Sequence, residues 1–424
     1  MVSRSPPACL KPYTLLGRLD RCGLYISIDS LDLEHSSEKV TMSASFVPPL
    51  KHRILAKTAI IICNDPEVRY FINELNFLWD KNAGKDRFKD LLDKAAKKIS
   101  ELHLPPQLHQ SVMALIKPIA LEIARWKIDH LKVLGDKFDF ISCQLYWKPE
   151  GIIDREKTAK MLVRNKNLCK TNRFFLACCY CLEDEVKRTW NFLGPEQEYR
   201  TFEKNFSCII FWRFWIQRKG AINWSQLSQH ILHQLYPSTF CNYRDNPLWL
   251  RCFFDKLTPE EKKRCIAHTV NNTFKEHDNF RFIISQLDEN QRESVFKENP
   301  VRLLRFFLDW PYQSLFSEAA EQMWKYLQET DFRRLLHFII FNRIAAEWYD
   351  FDYVNLLIDF WRQSPKHFKE YIKRDTIFEP VKMVIYHDFL KLFPMQEIIQ
   401  SSSRIEWPND RLTLLRDGDF LFSY

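Results

Sequence analysis

The sequence predicts an all-α protein whose short helices stack in pairs like an α-solenoid, and three observations support this fold class. Glycine is scarce, at 8 of 424 residues, whereas folds rich in phosphate loops, hairpins and bulges need glycine where φ is positive. Aromatic residues make up 15% of the chain, which suits a core in which bulky side chains fill the gaps between helices. Large apolar residues recur at three- and four-residue spacing from about Leu50 to Pro394, as they do in amphipathic helices.

Local signals predict where several helices begin and end. Asp65 is an N-cap followed by Pro66 at the first helical position, a common start signal. Thr171 is predicted to cap a helix that continues to the stop signal at Gly194. Pro118 is predicted to kink or split the helix in which it lies, because proline cannot donate a backbone hydrogen bond.

Two segments, Cys252 to Ile266 and Phe282 to Phe296, align at a spacing of 30 residues. In each, an apolar stretch ends at a leucine and a capping residue follows, Thr258 or Asp288, with acidic residues in the next turn. The spacing falls within the range of helical repeats, but the ankyrin and tetratricopeptide signatures are absent. We therefore predict a degenerate ankyrin-like or HEAT-like array without a named repeat signature.

The same patterns divide the chain into four segments. We predict a flexible N-terminal segment at 1–48, an N-terminal helical region at 49–147, the helix-pair repeat region at 148–400 and a C-terminal tail at 401–424. Within the first segment, Gly23 to Leu33 alternates apolar and polar residues over part of its length, so a short strand pair remains an alternative to a flexible lead-in.

The stretches LACCYCLEDEVKRTWNFLGPEQEYRTFEKNF, FFLDWPYQSLFSEAAEQMW and YDFDYVNLLIDFWRQSPKHFKEYI together resemble a large set of uncharacterised all-helical proteins expanded in arachnids. The likeness covers roughly residues 50–400. The resemblance implies a helical fold from a paralogue-rich, intracellular group, and it implies no activity, catalytic residue or ligand.

Charge and cysteine content bear on compartment and partner. The net charge is +8, and the 62 basic and 54 acidic residues are interleaved, whereas nucleic-acid-binding proteins usually carry a basic stripe. No apolar run reaches the length of a signal peptide or a membrane span. We therefore expect an intracellular protein, cytoplasmic or nuclear and not secreted, whose 12 cysteines form no disulfide framework.

The densest group of potential metal ligands comprises Cys169, Cys178, Cys179 and Cys181, in which Cys178 and Cys181 form a C-x₂-C pair. This pair is predicted to lie in the middle of an apolar helix rather than on a turn that presents ligands, so we expect buried thiols. His230 and His233 are three residues apart on a predicted helix, and alone they are expected to serve packing or the surface. We predict no metal and no cofactor.

No motif predicts catalysis. No two glycines are close enough for a phosphate-binding loop, and neither a catalytic-cysteine signature nor G-x-S-x-G is present. Glu183, Asp184 and Glu185 are consecutive, so they point to different sides of a predicted helix. We expect them to form a solvated helix end that faces Lys187 and Arg188, with an acidic patch for a partner as the alternative.

Two stretches interleave basic and aromatic residues as nucleic-acid stacking surfaces do, namely RFWIQRKG from Arg213 and FRRLLHF from Phe332. At helical spacing such aromatic side chains more often enter the core. The sequence therefore predicts a non-catalytic helical-repeat protein, a scaffold that binds another macromolecule, preferably a protein. A basic nucleic-acid-associated protein is the alternative, and an enzyme with a degenerate site is a third hypothesis.

Overall fold

The computed structural model describes the helical body of the chain and confirms the all-α fold for that part. Seventeen α-helices lie in the described residues, without a named strand. An isolated antiparallel bridge joins Trp147 to Ile153. The described residues are 49–75, 81–191, 254–271, 277–388 and 391–404, together with the positions 209, 212, 213, 215 and 216.

The first seven helices surround one hydrophobic core. Helix α4 is central to it, because α4 packs against α1, α2, α3 and α6 and buries Ile116, Ile119 and Trp126. The helices are α1 (Leu50–Cys63), α2 (Pro66–Glu74), α3 (Lys81–Glu101), α4 (Pro106–Leu134), α5 (Arg155–Arg164), α6 (Lys170–Cys179) and α7 (Glu183–Trp190).

A second core is formed by the remaining helices and is rich in stacked rings. Phe332 stacks on Phe368 with ring centroids 5.3 Å apart, and Trp324 stacks on Phe360 at 5.0 Å. The helices are α8 (Pro259–Asn271), α9 (His277–Gln286), α10 (Glu289–Glu298), α11 (Pro300–Phe306), α12 (Phe316–Met323), α13 (Glu329–Ile339), α14 (Tyr353–Gln363), α15 (Lys366–Ile372), α16 (Phe378–Ile385) and α17 (Met395–Ser401). A π-helix, Ile340–Ile344, continues α13.

Three of the predicted start signals, at Asp65, Thr258 and Asp288, are observed. The Asp65 side chain accepts a hydrogen bond from the backbone N–H of Glu67 at 2.9 Å. Thr258 and Glu261 form the predicted capping box, in which the Thr258 N–H donates to Glu261 Oε2 at 2.8 Å. Asp288 forms the equivalent box 30 residues later.

The leucines that precede the two capping boxes, Leu257 and Leu287, are both buried. Equivalent positions of the two aligned segments therefore have the same structural role.

The stacking of all helix pairs into a solenoid stays a prediction. The division of the helical body after Trp147 also stays a prediction, and the first core contains residues from both sides of it. The predicted strand pair at Gly23 to Leu33 and the N-terminal segment lie outside the described residues, as does the C-terminal tail after Arg404.

The helix predicted between Thr171 and Gly194 is wrong at both ends, and the split that was one of two predicted outcomes at Pro118 does not occur. The helix predicted to start at Thr171 is capped by Cys169, whose Sγ accepts from the Asn172 N–H at 3.4 Å, and it ends at Cys179. Cys181 follows with a φ of 51°, and a left-handed residue terminates a helix. Of the two outcomes predicted for Pro118, the split is excluded, because α4 continues through the proline to Leu134, whereas the kink stays a prediction. Burial of α4 between several helices offsets the lost hydrogen bond.

Trp310 joins the two cores. It lies in the second half of the chain but belongs to the first core, where its Nε1 donates to the Gly151 carbonyl at 3.1 Å and its ring stacks on His52 at 4.7 Å. Lys117 makes a second contact, since its Nζ donates to the Ala346 carbonyl at 3.2 Å. Two contacts therefore join the cores, namely the ring of Trp310 and the ammonium group of Lys117.

No helix within the described ranges combines the length and the apolar composition that crossing a membrane requires.

We expect Gly151→Ala to destabilise the protein more than Gly135→Ala. Both glycines have positive φ, 86° and 79°, so alanine at either position costs about 1–3 kcal/mol of backbone strain. At Gly151 an added Cβ would also lie 2.8 Å from Trp310 Cζ2, and overpacking of this kind costs about 1–3 kcal/mol more. At Gly135 it would meet no atom within 4 Å.

Denaturant unfolding of the two variants measures this difference, with Gly135→Ala as the matched control for backbone strain. A loss of unfolding free energy at Gly135 that equals or exceeds the loss at Gly151 would contradict the packing of Trp310 on Gly151.

Candidate binding groove

An open groove of about 860 Å³ lies between the start of α13 and the outer face of α15. Its volume falls within the range of about 300–1,000 Å³ that is typical of ligand sites. Both signs of charge and two rings line it. The lining residues are Glu329, Lys366, His367, Glu370, Tyr371, Arg374 and Asp375.

The spacing of α15 explains which of its side chains reach the groove. Phe368 and Ile372 are four residues apart and almost fully buried, so they anchor one face of α15 in the second core. His367 and Tyr371 are exposed and lie on the neighbouring face, about 100° around the helix from the buried one. Tyr371 is 37% exposed, so its ring is available to a ligand.

A buried ion pair holds the floor of the groove. Arg333 Nε donates to Asp375 Oδ2 at 2.7 Å, and only 4% of the Arg333 side chain is exposed. Asp375 Oδ1 also accepts from the Ile377 N–H at 2.9 Å. Because a buried charge that loses its partner is strongly destabilising, this pair fixes the turn after α15 against α13.

The cations of the groove are available to a ligand. Glu370 is paired with Lys373 at 2.9 Å, and this hydrogen bond, followed by the charges of Lys373, Lys366 and Arg374, lowers the pKa of Glu370. Within the described residues, neither Lys366 nor Arg374 forms a side-chain hydrogen bond or ion pair of its own, and both are exposed. An arginine in this state can bind a carboxylate with two parallel hydrogen bonds.

A second polar constellation is buried where the two cores meet. Gln313 Nε2 donates to Asp350 Oδ2 at 2.6 Å and to Tyr353 Oη at 3.2 Å, and Tyr353 Oη donates to the Leu308 carbonyl at 3.1 Å. Arg343, from the π-helix, forms an ion pair with Asp309. We call the five side chains of Asp309, Gln313, Arg343, Asp350 and Tyr353 the joint cluster.

Burial controls the ionisation of the joint cluster and of Lys117, whose charge acts on Asp350. It raises the pKa of Asp350 to about 6, against the opposing charges of Arg343 and Lys117. It also raises the pKa of Tyr353 and lowers the pKa of Lys117 to about 8. Shifted pKa values often mark active sites.

In the joint cluster the polar atoms bind one another or a backbone carbonyl, so the arrangement is that of a structural network. Asp350 Oδ1 is the exception, since it is buried and accepts no hydrogen bond from another described residue. The cluster lies beside the π-helix and Glu347, whose φ is 54°. It therefore fixes an irregular stretch of backbone between the cores.

The predicted cysteine cluster does not form a metal site in the described residues. Cys178 and Cys179 are fully buried at the end of α6, and burial raises the pKa of Cys178 well above its ordinary value. Cys181 is not in the same helix, which corrects the prediction of a mid-helix pair. Cys169 is exposed at the start of α6.

Six described cysteines are free thiols, which agrees with the expectation that the cysteines form no disulfide framework. No group of three or more His, Cys, Asp or Glu side chains suited to a metal ion occurs among the described residues. His230 and His233 lie outside them.

The acidic run at the start of α7 is only partly a solvated helix end. Glu183 is exposed and pairs with Lys187 at 2.7 Å, as predicted. Glu185 is buried and pairs with Arg188 at 3.1 Å and with Arg164, from α5, at 2.8 Å. The Arg164 pair could not be inferred from the sequence, because it depends on how α5 packs.

At FRRLLHF the aromatic side chains enter the core, as the favoured interpretation expected, because Phe332 and Phe338 are buried together with Arg333; the alternative of a stacking surface there is not supported. Of RFWIQRKG, the described residues Arg213, Trp215 and Ile216 are half-buried. The groove itself was not predicted. The one local sequence pattern that could have indicated the groove is the four-residue spacing of Lys366, Glu370 and Arg374, which alternates with the buried pair Phe368 and Ile372.

No protein-family model matches the chain, and neither a curated protein nor a solved structure matches it. The resemblance to the arachnid-expanded proteins therefore stays a prediction, and function must be argued from the geometry of this chain's own residues.

We expect Asp350→Asn to remove a pH dependence of stability. The folded-state pKa of Asp350 is about 6, above the value of about 3.9 in an unfolded chain. The buried carboxyl must therefore ionise as pH rises from about 4 to about 6, and the wild type loses on the order of 2–3 kcal/mol of unfolding free energy relative to the variant. Urea unfolding of both proteins between pH 4 and pH 7 measures this difference.

Lys117→Met is the control for this experiment. The folded-state pKa of Lys117 is about 8, below its unfolded value, so the cost of its buried charge is fully present below pH 8 and is relieved only as pH rises above it. This variant should retain the loss between pH 4 and pH 6. If Asp350→Asn shows the same pH profile as the wild type, burial does not raise the pKa of Asp350.

The described cysteines should differ in the rate at which iodoacetamide alkylates them in the native protein. Burial raises the pKa of Cys63 to about 12 and that of Cys143 to about 11, whereas Cys169 is exposed. Because the thiolate fraction falls tenfold per pKa unit, iodoacetamide at pH 8 should modify Cys63 and Cys143 at least about a hundredfold more slowly than an ordinary exposed thiol. Mass spectrometry of timed samples measures the rates, with unfolded protein as the control. Rapid labelling of Cys143 would indicate an activated nucleophile instead.

Proposed function

We propose that the protein is a non-catalytic scaffold whose groove beside α15 binds a short acidic segment of another protein. The observation that supports this function best is the pairing of two exposed cations, Lys366 and Arg374, with the exposed rings of His367 and Tyr371 along one wall. Carboxylates would bind the cations, and an aromatic or aliphatic side chain would pack on Tyr371. Tyrosine and arginine are the residue types that contribute most in protein interfaces.

The charge pattern favours a peptide over a nucleic acid. Glu329, Glu370 and Asp375 line the same groove, and they would repel a regularly charged phosphate backbone. A peptide can place its acidic residues beside Lys366 and Arg374 only. The burial of Phe332 and Arg333 also leaves FRRLLHF without a stacking surface.

The absence of catalysis is part of the proposal. Burial shifts the pKa values of His337, Lys117, Asp350 and Cys178, and none of these four residues lines the groove. The groove offers charges and rings for binding, and its buried ion pair, Arg333 with Asp375, is already satisfied.

We further infer that the helix pairs belong to a degenerate repeat array inside the cell. The equivalent use of Leu257 and Leu287, each followed by a capping box, supports the repeat. The six free thiols are compatible with a reducing compartment. In such arrays, neighbouring units bury a shared seam and leave a long surface for partners.

The groove predicts which peptides the full-length protein selects from a random displayed library. We expect enrichment of segments with acidic residues next to an aromatic residue. The triple variant Lys366→Glu/Tyr371→Ala/Arg374→Glu should bind these peptides at least about tenfold more weakly, because it removes two charge-assisted contacts and one ring. Fluorescence polarisation of labelled peptides measures the affinities.

The matched control is Lys382→Glu/Tyr386→Ala/Lys391→Glu, which makes the same charge change and removes an exposed tyrosine elsewhere on the second core. It should leave the affinity unchanged. Selected peptides that bind the groove variant as tightly as the wild type would disprove the site. Salt-dependent retention of the full chain on heparin would instead support the nucleic-acid alternative.

A further inference from the structure

Helix α1 carries apolar side chains on two faces, and the first core explains only one of them. Ala56, Ala59 and Ile62 are buried against the core. Leu50, Ile54 and Ile61 are 69%, 53% and 56% exposed. Their spacing of four and seven residues places these three on a single stripe of the helix. A contiguous exposed apolar stripe is a candidate contact surface.

Positive charge without compensation borders the stripe. Lys51, Arg53 and Lys57 are all exposed, and their side chains form no hydrogen bond or ion pair within the described residues. The first turn of α1 contains no acidic residue, so Lys51 and Arg53 lie at the positive end of the helix dipole, where cations are unfavourable. By contrast, Lys98 on α3 is paired with Asp65 at 3.1 Å. We call the stripe and its three cations the α1 face.

We propose that residues 22–38 of this chain bind the α1 face. Their sequence, CGLYISIDSLDLEHSSE, contains four acidic residues, Asp29, Asp32, Glu34 and Glu38, and no lysine or arginine. It also contains five aliphatic residues, Leu24, Ile26, Ile28, Leu31 and Leu33. The segment thus offers the two features that the α1 face requires, namely aliphatic side chains for the stripe and carboxylates for the cations.

The connection between residues 22–38 and helix α1 is long enough for the segment to reach the α1 face. Residues 39–48 connect the segment to Pro49, the residue before α1, and fully extended they span about 33–36 Å. Helix α1 has 14 residues and is therefore about 21 Å long. The segment can fold back along the whole α1 face, and a tether of this length gives an effective concentration on the order of millimolar.

Because residues 22–38 are tethered to α1, they are favoured on the α1 face over a separate protein or a lipid surface. An acidic segment of a separate protein or an anionic lipid surface would have to compete with a segment of this chain that is always present at high local concentration. Binding of residues 22–38 also balances the charge at the start of α1, which no described residue does.

Photo-crosslinking in the full chain tests the proposal. p-Benzoylphenylalanine in place of Ile54 should crosslink to residues 22–38, whereas the same group in place of Tyr386, which is 71% exposed on the second core, should not. An equal mixture of nitrogen-15-labelled and unlabelled chains distinguishes crosslinks within one chain from crosslinks between two. Mass spectrometry identifies the crosslinked peptides, and we expect them to come from the same chain.

Charge reversal provides the matched variants. Asp29→Lys/Asp32→Lys/Glu34→Lys should lower the yield of the Ile54 crosslink about tenfold, since three exposed opposite-charge contacts become repulsive. Adding Lys51→Glu/Arg53→Glu/Lys57→Glu should restore it. The reversed cations lie on the surface, and circular dichroism checks that the fold is unchanged.

Three results would overturn the proposal. The first is an Ile54 crosslink that falls outside residues 22–38 or joins two chains. The second is a yield that the acidic-to-lysine changes leave unaltered. The third is binding of the wild-type chain to phosphatidylserine vesicles that Lys51→Glu/Arg53→Glu/Lys57→Glu abolishes and the acidic-to-lysine changes do not strengthen, because the face would then be open to a membrane.

Discussion

The stack of Phe332 on Phe368 is the contact on which the position of the groove depends. It places α15 against α13 with the two rings 5.3 Å apart and nearly parallel. Once Phe368 is held there, the helical period turns His367 and Tyr371 outward. The charged residues that flank them follow from the same period. The position of the candidate groove is therefore a consequence of the aromatic packing beneath it.

Buried charges divide into two classes in this molecule. Arg333 has a well-aligned carboxylate partner, Asp375, so its desolvation is offset by a strong hydrogen bond. Lys117 and Asp350 have weaker compensation, and their pKa values move toward neutrality from opposite sides. The first class fixes the fold near the groove. The second class makes the contact between the cores sensitive to ionisation.

The sequence predicts the fold class well because helix formation is largely local. Asp65, Thr258 and Asp288 cap the helices that they were expected to cap. The end of α6 could not be predicted in this way, because Cys181 takes a left-handed conformation that glycine usually signals. The burial of Glu185 was also not predictable, since its partner Arg164 lies on another helix.

The candidate groove could not be predicted from the sequence either, because it depends on contacts between separate helices. Its walls come from Glu329 and from α15, and α14 separates them along the chain. Which residues face each other across such a space depends on the packing of bulky rings, and neither charge pattern nor periodicity encodes that packing. The α1 face is the opposite case, because the spacing of Leu50, Ile54 and Ile61 along one helix defines it.

Pro118 follows Lys117 directly, so α4 lacks a backbone donor next to the residue that reaches the second core. Helices bend most readily where their hydrogen-bond ladder is interrupted. The interruption of the α4 hydrogen-bond ladder at Pro118 therefore coincides with the position from which the Lys117 side chain contacts the second core.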